Sequence, residues 1–392
     1  MKRALVVACL GLAVVLAVLG LGQRRLAETT APVGGAAAAA TAPAESSAPT
    51  TTEAPRREVT MAFTGDLLPH GPVVERAGAL AGGGGYDFDP MFSLVAPLLS
   101  AADLAICHLE APLSPDDRDL SGYPTLNAPR ELAEAARRAG YDGCSTASNH
   151  SWDRGRTGVV DTLAVLDQAG LQAAGTAASP QDDRPARYRR GGLAIAHLSY
   201  TYGLNGFEVP PDEGWLVDLI DVDQIAADAR AARAGQADVV VVSLHWGTEY
   251  RSEPTADQVS IVDQLLPNDD IDLIVGHHAH VVQPVDRRAG KVVLYGLGNF
   301  LSNQSSSCCT AATQDGVIAV VTLTERDDGG FRTRLRYVPT WVDRSTFTIV
   351  PTAPPYRGAE AAVDESTLDA SLQRTVDALS ALGAPVRDWD GS

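Results

Sequence analysis

The sequence has a shortage of basic residues. It contains 31 lysines and arginines against 49 aspartates and glutamates, so its formal net charge is −18. Binding to a phosphate backbone requires a basic face, which argues against a nucleic-acid partner. Solubility is a sufficient explanation for the acidity itself. The glycine run at residues 82–85 lacks the lysine and hydroxyl residue of a phosphate-binding P-loop, so it is interpreted as a flexible loop.

Cysteine is also scarce. The chain has five cysteines, and no pair has the C-x-x-C spacing that is typical of thiolate zinc sites. Cys107 and Cys144 each lie close to the end of a predicted strand and could face each other, whereas Cys308 and Cys309 are adjacent in a polar loop. We expect structural disulfides or inert thiols, and the sequence leaves the pairing open.

The N-terminal residues are not expected to belong to the folded domain. An uncharged apolar stretch at residues 4–22 follows two basic residues and is long enough to cross a hydrocarbon core. Residues 1–25 are interpreted as a signal anchor, with a cleaved signal peptide as the alternative. Residues 26–57, rich in Ala, Pro and Thr, are predicted to be a disordered linker. The protein would then be membrane-anchored with an extracytoplasmic domain, or secreted if the segment is cleaved.

The remaining chain is predicted to form one α/β domain at residues 58–350, followed by a C-terminal extension at residues 351–392. Apolar runs typical of buried strands alternate with amphipathic segments. Helices are predicted within residues 127–140, 157–169, 222–234, 255–266 and 368–382, and an antiparallel hairpin from residues 316–324 and 331–339.

Polar residues stand at the ends of six successive apolar runs. In chain order they are Asp66; His108 and Glu110; Asn149, His150 and Asp153; His245; His277, His278 and His280; and Asn299. Ligands of open α/β sheets bind outside the carboxyl ends of the strands. These residues are therefore expected to meet at one rim. Only eight histidines occur in the whole chain, and three of them fall between positions 277 and 280. Since imidazole is the commonest protein ligand for transition metals, the pattern predicts a metal centre.

Each of these residues also has a structural interpretation. Asp66 could be a turn residue, Glu110 a surface carboxylate and His245 a satisfied core histidine. Asp153 could orient a ligand or cap the following helix, and Asn299 could mark a tight turn. It is the combination of the motifs that favours a metal centre.

The ordered motifs resemble those of the CapA family, whose members are called poly-γ-glutamate capsule biosynthesis proteins. The motifs are Gly65-Asp66, His108-Leu109-Glu110, Ser148-Asn149-His150, Leu244-His245-Trp246-Gly247, Gly276-His277-His278-Ala279-His280 and Gly298-Asn299-Phe300. The CapA family in turn resembles the calcineurin-like metallophosphoesterases. This resemblance implies a four-layer α/β/β/α sandwich of the metallophosphoesterase type, with two divalent ions (Mn, Fe or Zn) at the rim of the sheets.

The resemblance also implies roles for individual residues. The implied metal ligands are Asp66, Glu110, Asn149, His245, His278 and His280. The implied catalytic residues are His150, as an acid or electrostatic stabiliser, and Asp66. Further candidates for the site are His277, His108, Asp153 and Asn299.

The sequence departs from the phosphoesterase pattern in its first motif, Asp-x-His. Leu68 stands where the histidine is expected, and His70 lies two residues too far along. In the second motif Glu110 replaces an aspartate. The last motif has an additional histidine, which leaves open whether His277 or His278 is the ligand. The first metal site is accordingly expected to be weaker, altered or absent.

The expected function is that of an exported, CapA-like, metal-dependent hydrolase in the biosynthesis or processing of an anionic cell-surface polymer of the poly-γ-glutamate type. Its expected partners are that polymer or its precursor, the membrane and a polymer-synthesis complex. The alternative is a non-catalytic, metal-stabilised component of a polymer assembly or export complex. A hydrolase of γ-glutamyl amide bonds is a second enzymatic possibility.

Overall fold

The computed structural model describes residues 56–358, 363–384 and 387–388. The predicted membrane segment at residues 1–25 and the predicted linker up to residue 55 lie outside the described residues. Within the described ranges, no helix is both long and apolar enough to cross a membrane.

The described strands alternate with helices along most of the chain. The strands are β1 (Glu58–Leu67), β2 (Leu104–Leu109), β3 (Leu113–Ser114), β4 (Ala128–Pro129), β5 (Gly143–Ser145), β6 (Gln172–Ala174), β7 (Ala186–Arg190), β8 (Leu193–Thr201), β9 (Val239–His245), β10 (Leu273–His277), β11 (Val285–Arg288), β12 (Lys291–Leu294), β13 (Asn299–Leu301), β14 (Asp315–Glu325), β15 (Phe331–Asp343), β16 (Thr348–Pro351) and β17 (Arg387–Asp388). The helices are α1 (Gly71–Ala81), α2 (Asp89–Phe92), α3 (Ala96–Ser100), α4 (Glu131–Ala139), α5 (Gly155–Ala169), α6 (Val222–Ala234), α7 (Ala256–Leu265) and α8 (Glu365–Ser380).

Two large sheets form the centre of the fold. The first has the order β16-β15-β14-β1-β2-β5-β6, with β13 also paired to β1 and β17 to β15. Its β1, β2, β5 and β6 run parallel, whereas β14 and β15 form an antiparallel hairpin. The second sheet has the order β11-β12-β10-β9-β8-β7, with parallel inner strands and antiparallel edges. The mixed α/β class predicted from the sequence is confirmed.

The buried side chains define four layers. Alternate residues of β9 face opposite sides, because Val239 and Val241 belong to a core between the two sheets and Val240 and Val242 to a second core beneath α6 and α7. A third core lies between the other face of the first sheet and α1 to α5. The runs at residues 239–242 and 273–275, which are covered on both faces, are unbroken aliphatic segments, as the sequence indicated.

Several helices begin and end close to the predicted positions. Helix α6 covers residues 222–234 as predicted, since the Asp221 side chain accepts hydrogen bonds from the amides of Asp223 and Gln224. Helix α7 begins with a capping box of Thr255 and Gln258. The predicted hairpin is confirmed by the pairing of β14 with β15.

Two elements of the predicted C-terminal extension contact the first sheet. Strand β17 pairs with β15. Helix α8 contacts β14 and β15, and Asp315 accepts hydrogen bonds from Ser371 (2.6 Å) and from Arg374 (2.7 and 2.8 Å).

The cysteine pairing follows from the sheet. Cys107 on β2 lies opposite Cys144 on β5, and the two form a disulfide. Cys308 and Cys309 form no disulfide within the described residues. The facing pair that the sequence allowed is therefore present, and the adjacent pair is free.

Candidate metal centre

Asp66 lies at the carboxyl end of β1, between two other strands. Its Cα is in register with His108 of β2 and with Asn299 of β13. The chain can approach β13 this closely because residue 65 is glycine; a Cβ there would lie 2.2 Å from the carbonyl oxygen of Gly298. Asp66 is 1% exposed, so its carboxylate lies inside the protein and not on a surface turn.

The second sheet brings its histidines to the same rim. His245 at the end of β9 is in register with His277 at the end of β10. The chain then turns sharply, because His278 (φ 86°) and His280 (φ 55°) both have left-handed backbone conformations. Non-glycine residues adopt this conformation rarely and at an energetic cost, and such residues concentrate at functional sites.

Asp66, His108 and His277 form the first of two groups that could hold a metal ion. One potential ligand atom from each of the three lies within 4.8 Å of the others. His277 Nδ1 is 3.3 Å from Asp66 Oδ1. The rings of His108 and His277 stack with their centroids 4.1 Å apart. His277 and His108, which were only secondary candidates in the sequence, thus lie in the first group.

Glu110, His278 and His280 form the second group. His280 Nε2 is 3.6 Å from Glu110 Oε1. His280 Nδ1 is 3.1 Å from Asp66 Oδ2 and 3.1 Å from Asn299 Oδ1, so the two acceptors require a hydrogen on this nitrogen. The Nε2 atom of a neutral His280 is then the nitrogen that can bind a metal, an arrangement common in metalloproteins. The sequence left open whether His277 or His278 is the ligand. In the structure His277 belongs to the first group and His278 to the second.

The donor atoms of the two groups fit divalent cations. Within the described part of the chain, several of them are buried and accept or donate no hydrogen bond: Asp66 Oδ1, Glu110 Oε1 and Oε2, His277 Nδ1 and His278 Nδ1. Buried polar atoms without partners are rare and costly in native proteins. A cation between the groups would satisfy them. Their nitrogen and carboxylate donors suit Mn, Fe or Zn.

The electrostatic environment differs between the two carboxylates. Burial opposes ionisation of Asp66, but the neighbouring imidazoles of His277 and His280 hold its pKa well below the ordinary value. Burial raises the pKa of Glu110 well above the ordinary value, and the charge of Asp66 adds to this effect. Burial also lowers the pKa of His278 to about 3, so this imidazole is neutral near pH 7, as a metal ligand must be.

His245, also predicted as a ligand, lies against both groups, and Asn149, another predicted ligand, contacts His245; neither belongs to either group. His245 Nδ1 is 2.9 Å from His108 Nε2, and His245 Nε2 is 2.9 Å from Asn149 Oδ1. His245 Nε2 is also 3.9 Å from Glu110 Oε1. The structure therefore brings both residues to the centre, and their role as ligands stays a prediction.

His150 and Asp153 form a hydrogen-bonded pair beside the centre. His150 Nδ1 is 2.6 Å from Asp153 Oδ2, which also accepts from the backbone amide of Leu126. His150 and His280 line a cavity of about 380 Å³ that extends outward from the centre. Asp153 thus fixes the orientation of His150 and does not cap α5, whose N-cap is Arg154.

Asn299 supports the centre from the opposite side. Its Nδ2 donates to Gln304 Oε1 (3.0 Å) and to the carbonyl oxygen of Thr313 (2.9 Å). These bonds orient Oδ1 towards His280. The role predicted for Asn299, a close approach to the site, agrees with this position.

Sequence reasoning missed several residues of the cavity. His70 lies on its wall, where burial lowers its pKa to about 4. Glu249, Tyr250 and Gln304 line it as well. The ring of Tyr202 is 4.6 Å from that of His278. These residues lie in loops without periodicity, and only the offset of His70 from the first motif could have drawn attention to it.

Two adjacent, buried groups of carboxylate and imidazole donors at the rim of paired sheets define a candidate two-metal centre in an α/β protein. The family model described as bacterial capsule synthesis protein PGA_cap matches residues 60–304, which include both groups. The chain belongs to this family, and the resemblance seen in the motifs is confirmed.

Two proteins of similar sequence, both named CapA, support the same family. The chain is 30% identical over 258 residues to the capsule biosynthesis protein CapA of Bacillus anthracis, which covers 63% of this chain and 60% of that protein. It is 27% identical over 274 residues to the PGA biosynthesis protein CapA of Bacillus subtilis (strain 168), which covers 69% of each. The match thus spans about three fifths of the length of the first relative.

Solved structures show more distant similarity. The calcineurin-like phosphoesterase YfkN of Bacillus subtilis has a TM-score of 0.41 and 13% identity, covering 82% of this chain and 98% of that chain. The 5'-nucleotidase precursor of Thermus thermophilus has a TM-score of 0.45 and 12% identity, covering 82% of this chain and 58% of that chain. These likenesses say nothing about activity.

Proposed function

We propose that this protein is a metal-dependent hydrolase of the phosphoesterase type that acts in the biosynthesis or processing of an anionic, poly-γ-glutamate-type capsule polymer. The observation that carries the proposal is the set of buried donor atoms without partners in the two adjacent groups, Asp66–His108–His277 and Glu110–His278–His280. Membership in the capsule synthesis family and the name of the Bacillus subtilis relative support the polymer context.

The centre would hold two divalent ions, of Mn, Fe or Zn. Bound ions of this kind supply Lewis-acid activation of a phosphoryl or carbonyl group. Asp66 and Glu110 are the carboxylates that would balance their charge, and His277, His278 and His280 are the imidazoles that would hold them. With the two sheets packed face to face under outer helices, we assign the layers to the metallophosphoesterase type of sandwich.

His150 is the residue we assign to proton transfer. Its Nδ1 is bonded to Asp153, which fixes the ring and leaves Nε2 available on the cavity side. A histidine held in this way can donate a proton to the oxygen or nitrogen of a leaving group. The side chain is 10% exposed, so a substrate in the cavity can reach it while bulk water is largely excluded.

We further propose that residues 1–25 tether the domain to the membrane through the linker at residues 26–57. This topology would place the centre outside the cytoplasm, next to the nascent polymer and a polymer-synthesis complex. It is supported by the composition of these segments.

A direct test compares metal content and turnover in the purified full chain. The protein is loaded with manganese and assayed with a phosphodiester, a phosphomonoester and a γ-glutamyl anilide. Hydrolysis of a phosphoester that is lost in Asp66→Asn supports the proposal. Hydrolysis of the anilide alone would indicate a γ-glutamyl amide hydrolase instead.

One observation favours the non-catalytic alternative. Leu68, at the position of the phosphoesterase histidine, is 2% exposed and offers no donor to the first group. If two metal ions bind without turnover of any of the three substrates, the centre is a structural or recognition element of an assembly complex.

A further inference from the structure

The cavity beside the centre has an unusual charge distribution for a site that would receive anions. Among the described residues that line it, none is lysine or arginine. Part of its wall is aromatic or apolar, at Tyr123, Tyr250, Leu68 and Leu126, and the rest includes histidines and neutral amides. The exposed carboxylate of Glu249 adds a negative charge.

The loop that carries Glu249 is fixed through contacts of Tyr250. The amide of Tyr250 donates to the carbonyl oxygen of Ala279 at 2.7 Å, within the histidine-rich turn. Tyr250 itself has a left-handed backbone (φ 64°), and its hydroxyl accepts from Gln304 Nε2 at 3.3 Å. The loop that carries Glu249 is thus tied directly to the segment that supplies His278 and His280.

Glu249 shares the cavity with residues of the proposed site. Glu249, His150 and His280 all line it. At about 0.1 M ionic strength charges are screened over about 10 Å, so a charge that lines a cavity acts on an ion bound within it. Glu249 is therefore close enough to act on a substrate that contacts the centre.

An arginine stands behind the wall and does not line the cavity. The guanidinium of Arg344 donates to Ser305 Oγ at 2.7 Å and to Asn303 Oδ1 at 2.5 Å. Both terminal nitrogens are held by these neutral acceptors, so the guanidinium keeps its positive charge but stays behind Asn303 and cannot contact a substrate in the cavity.

We propose that Glu249 makes the site discriminate by charge, so that it prefers tetrahedral groups with a single negative charge, such as a phosphodiester, over dianions such as a phosphomonoester. This inference rests on the proposed metal centre. Two divalent ions, balanced by Asp66 and Glu110, would leave a positive excess that a dianion cancels. A third carboxylate at Glu249 reduces that excess to the charge that a diester cancels.

The test measures binding and turnover in the manganese-loaded full chain. Sulfate and methanesulfonate serve as probes, because they are tetrahedral anions of different charge that are not hydrolysed. Their dissociation constants are determined by calorimetry for the wild type, Glu249→Gln and Glu249→Lys. Glu253→Gln is the matched control, since Glu253 is exposed four residues further on and does not line the cavity.

Glu249→Gln should tighten sulfate binding by about threefold to tenfold and change methanesulfonate binding by less than about twofold. Glu249→Lys should increase the preference for sulfate over methanesulfonate further, and added salt should reduce the effects of both substitutions. The ratio of kcat/KM for a monoester to that for a diester should rise in parallel. Glu253→Gln should change none of these ratios, and all variants should retain the metal content of the wild type.

An unchanged sulfate-to-methanesulfonate ratio in both Glu249 variants would overturn the inference, as would an equal shift in Glu253→Gln. The proposed function would stand in either case if the wild type still hydrolyses a phosphoester. If the Glu249 variants change the discrimination between the two anions but the wild type hydrolyses no ester, the role of Glu249 would be supported and the hydrolase function overturned.

Discussion

Nε2 of His280 lies 3.6 Å from Oε1 of Glu110, and neither oxygen of this buried carboxylate accepts a hydrogen bond from the residues that the structure describes. The charges of Glu110 and Asp66 outweigh the effect of burial and raise the pKa of His280 to about 9. Without a metal ion, the nearest compensation for Glu110 is thus an imidazolium that does not reach hydrogen-bonding distance. The contact is more consistent with a ligand pair than with a structural ion pair.

Replacing the Glu110 carboxylate should affect the metal-free and metal-loaded proteins in opposite directions. Glu110→Gln removes a buried charge without hydrogen bonds, so we expect the metal-free variant to be about 1–3 kcal/mol more stable than the wild type. Added manganese should stabilise the wild type and have a much smaller effect on the variant. Denaturant unfolding in chelator measures the stability of the metal-free proteins, and unfolding in manganese measures the stabilisation by the metal. Strong destabilisation of the chelator-treated variant would show that Glu110 is structural.

The His150–Asp153 pair should matter for turnover and not for metal binding. We expect His150→Ala to lower kcat on a phosphoester by about 10²- to 10⁴-fold, since a positioned general acid contributes this much. Asp153→Asn should have a smaller effect of the same kind. His70→Gln, which alters another histidine of the cavity wall, is the matched control and should cost less. Loss of bound metal in His150→Ala would contradict the assignment.

His197 should make the protein sensitive to acid. It lies within β8, where burial and then the charge of His277 lower its pKa from 6.5 to about 3. The unfolded chain takes up this proton first, so the stability is complete above pH 6.5 and falls as the pH drops towards 3. Between pH 7 and pH 5, the free energy of unfolding of His197→Gln should fall by about 2 kcal/mol less than that of the wild type, because each pKa unit corresponds to about 1.4 kcal/mol. Unfolding in chelator at the two pH values measures the difference. Equal losses would mean that His197 is not buried as a neutral ring.

The disulfide should stabilise the first sheet. It closes a loop with a sequence separation of 37 between Cys107 and Cys144. We expect Cys107→Ala/Cys144→Ala to lower the free energy of unfolding by about 3–4 kcal/mol. The pairing is checked by titrating the thiols of the denatured, unreduced protein. Cys308→Ser/Cys309→Ser should remove two reactive thiols, whereas Cys107→Ala/Cys144→Ala should remove none. The reverse result would indicate different pairing.

Local sequence signals predicted the elements whose ends are fixed by local chemistry. Helix α6 was predicted at its observed bounds from its helical pattern and from Gly235 after its last turn, and in the structure Asp221 caps its first turn. The hairpin of β14 and β15 was equally accessible from its alternating pattern. Helix α1 was not predicted, since it begins after His70 without a side-chain cap and its sequence contains glycines.

The composition of the centre was predicted better than its internal arrangement. The rule that polar residues at strand ends converge identified the histidines and carboxylates of both groups. The division of His277 and His278 between the groups depends on the left-handed turn at His278, for which the sequence has no glycine as a signal. The cavity wall at Glu249 and Tyr250 arises from a tertiary contact with the histidine-rich turn, which no local pattern encodes.

The metal content of the purified full chain and of one variant in each group tests the central claim most directly. The wild type, dialysed against manganese and analysed by elemental mass spectrometry, should contain two ions per chain. His277→Ala and His278→Ala should each lose at least one ion and keep their secondary structure, while His197→Gln should keep both. A wild type without bound metal, or histidine variants with unchanged metal content, would contradict the account.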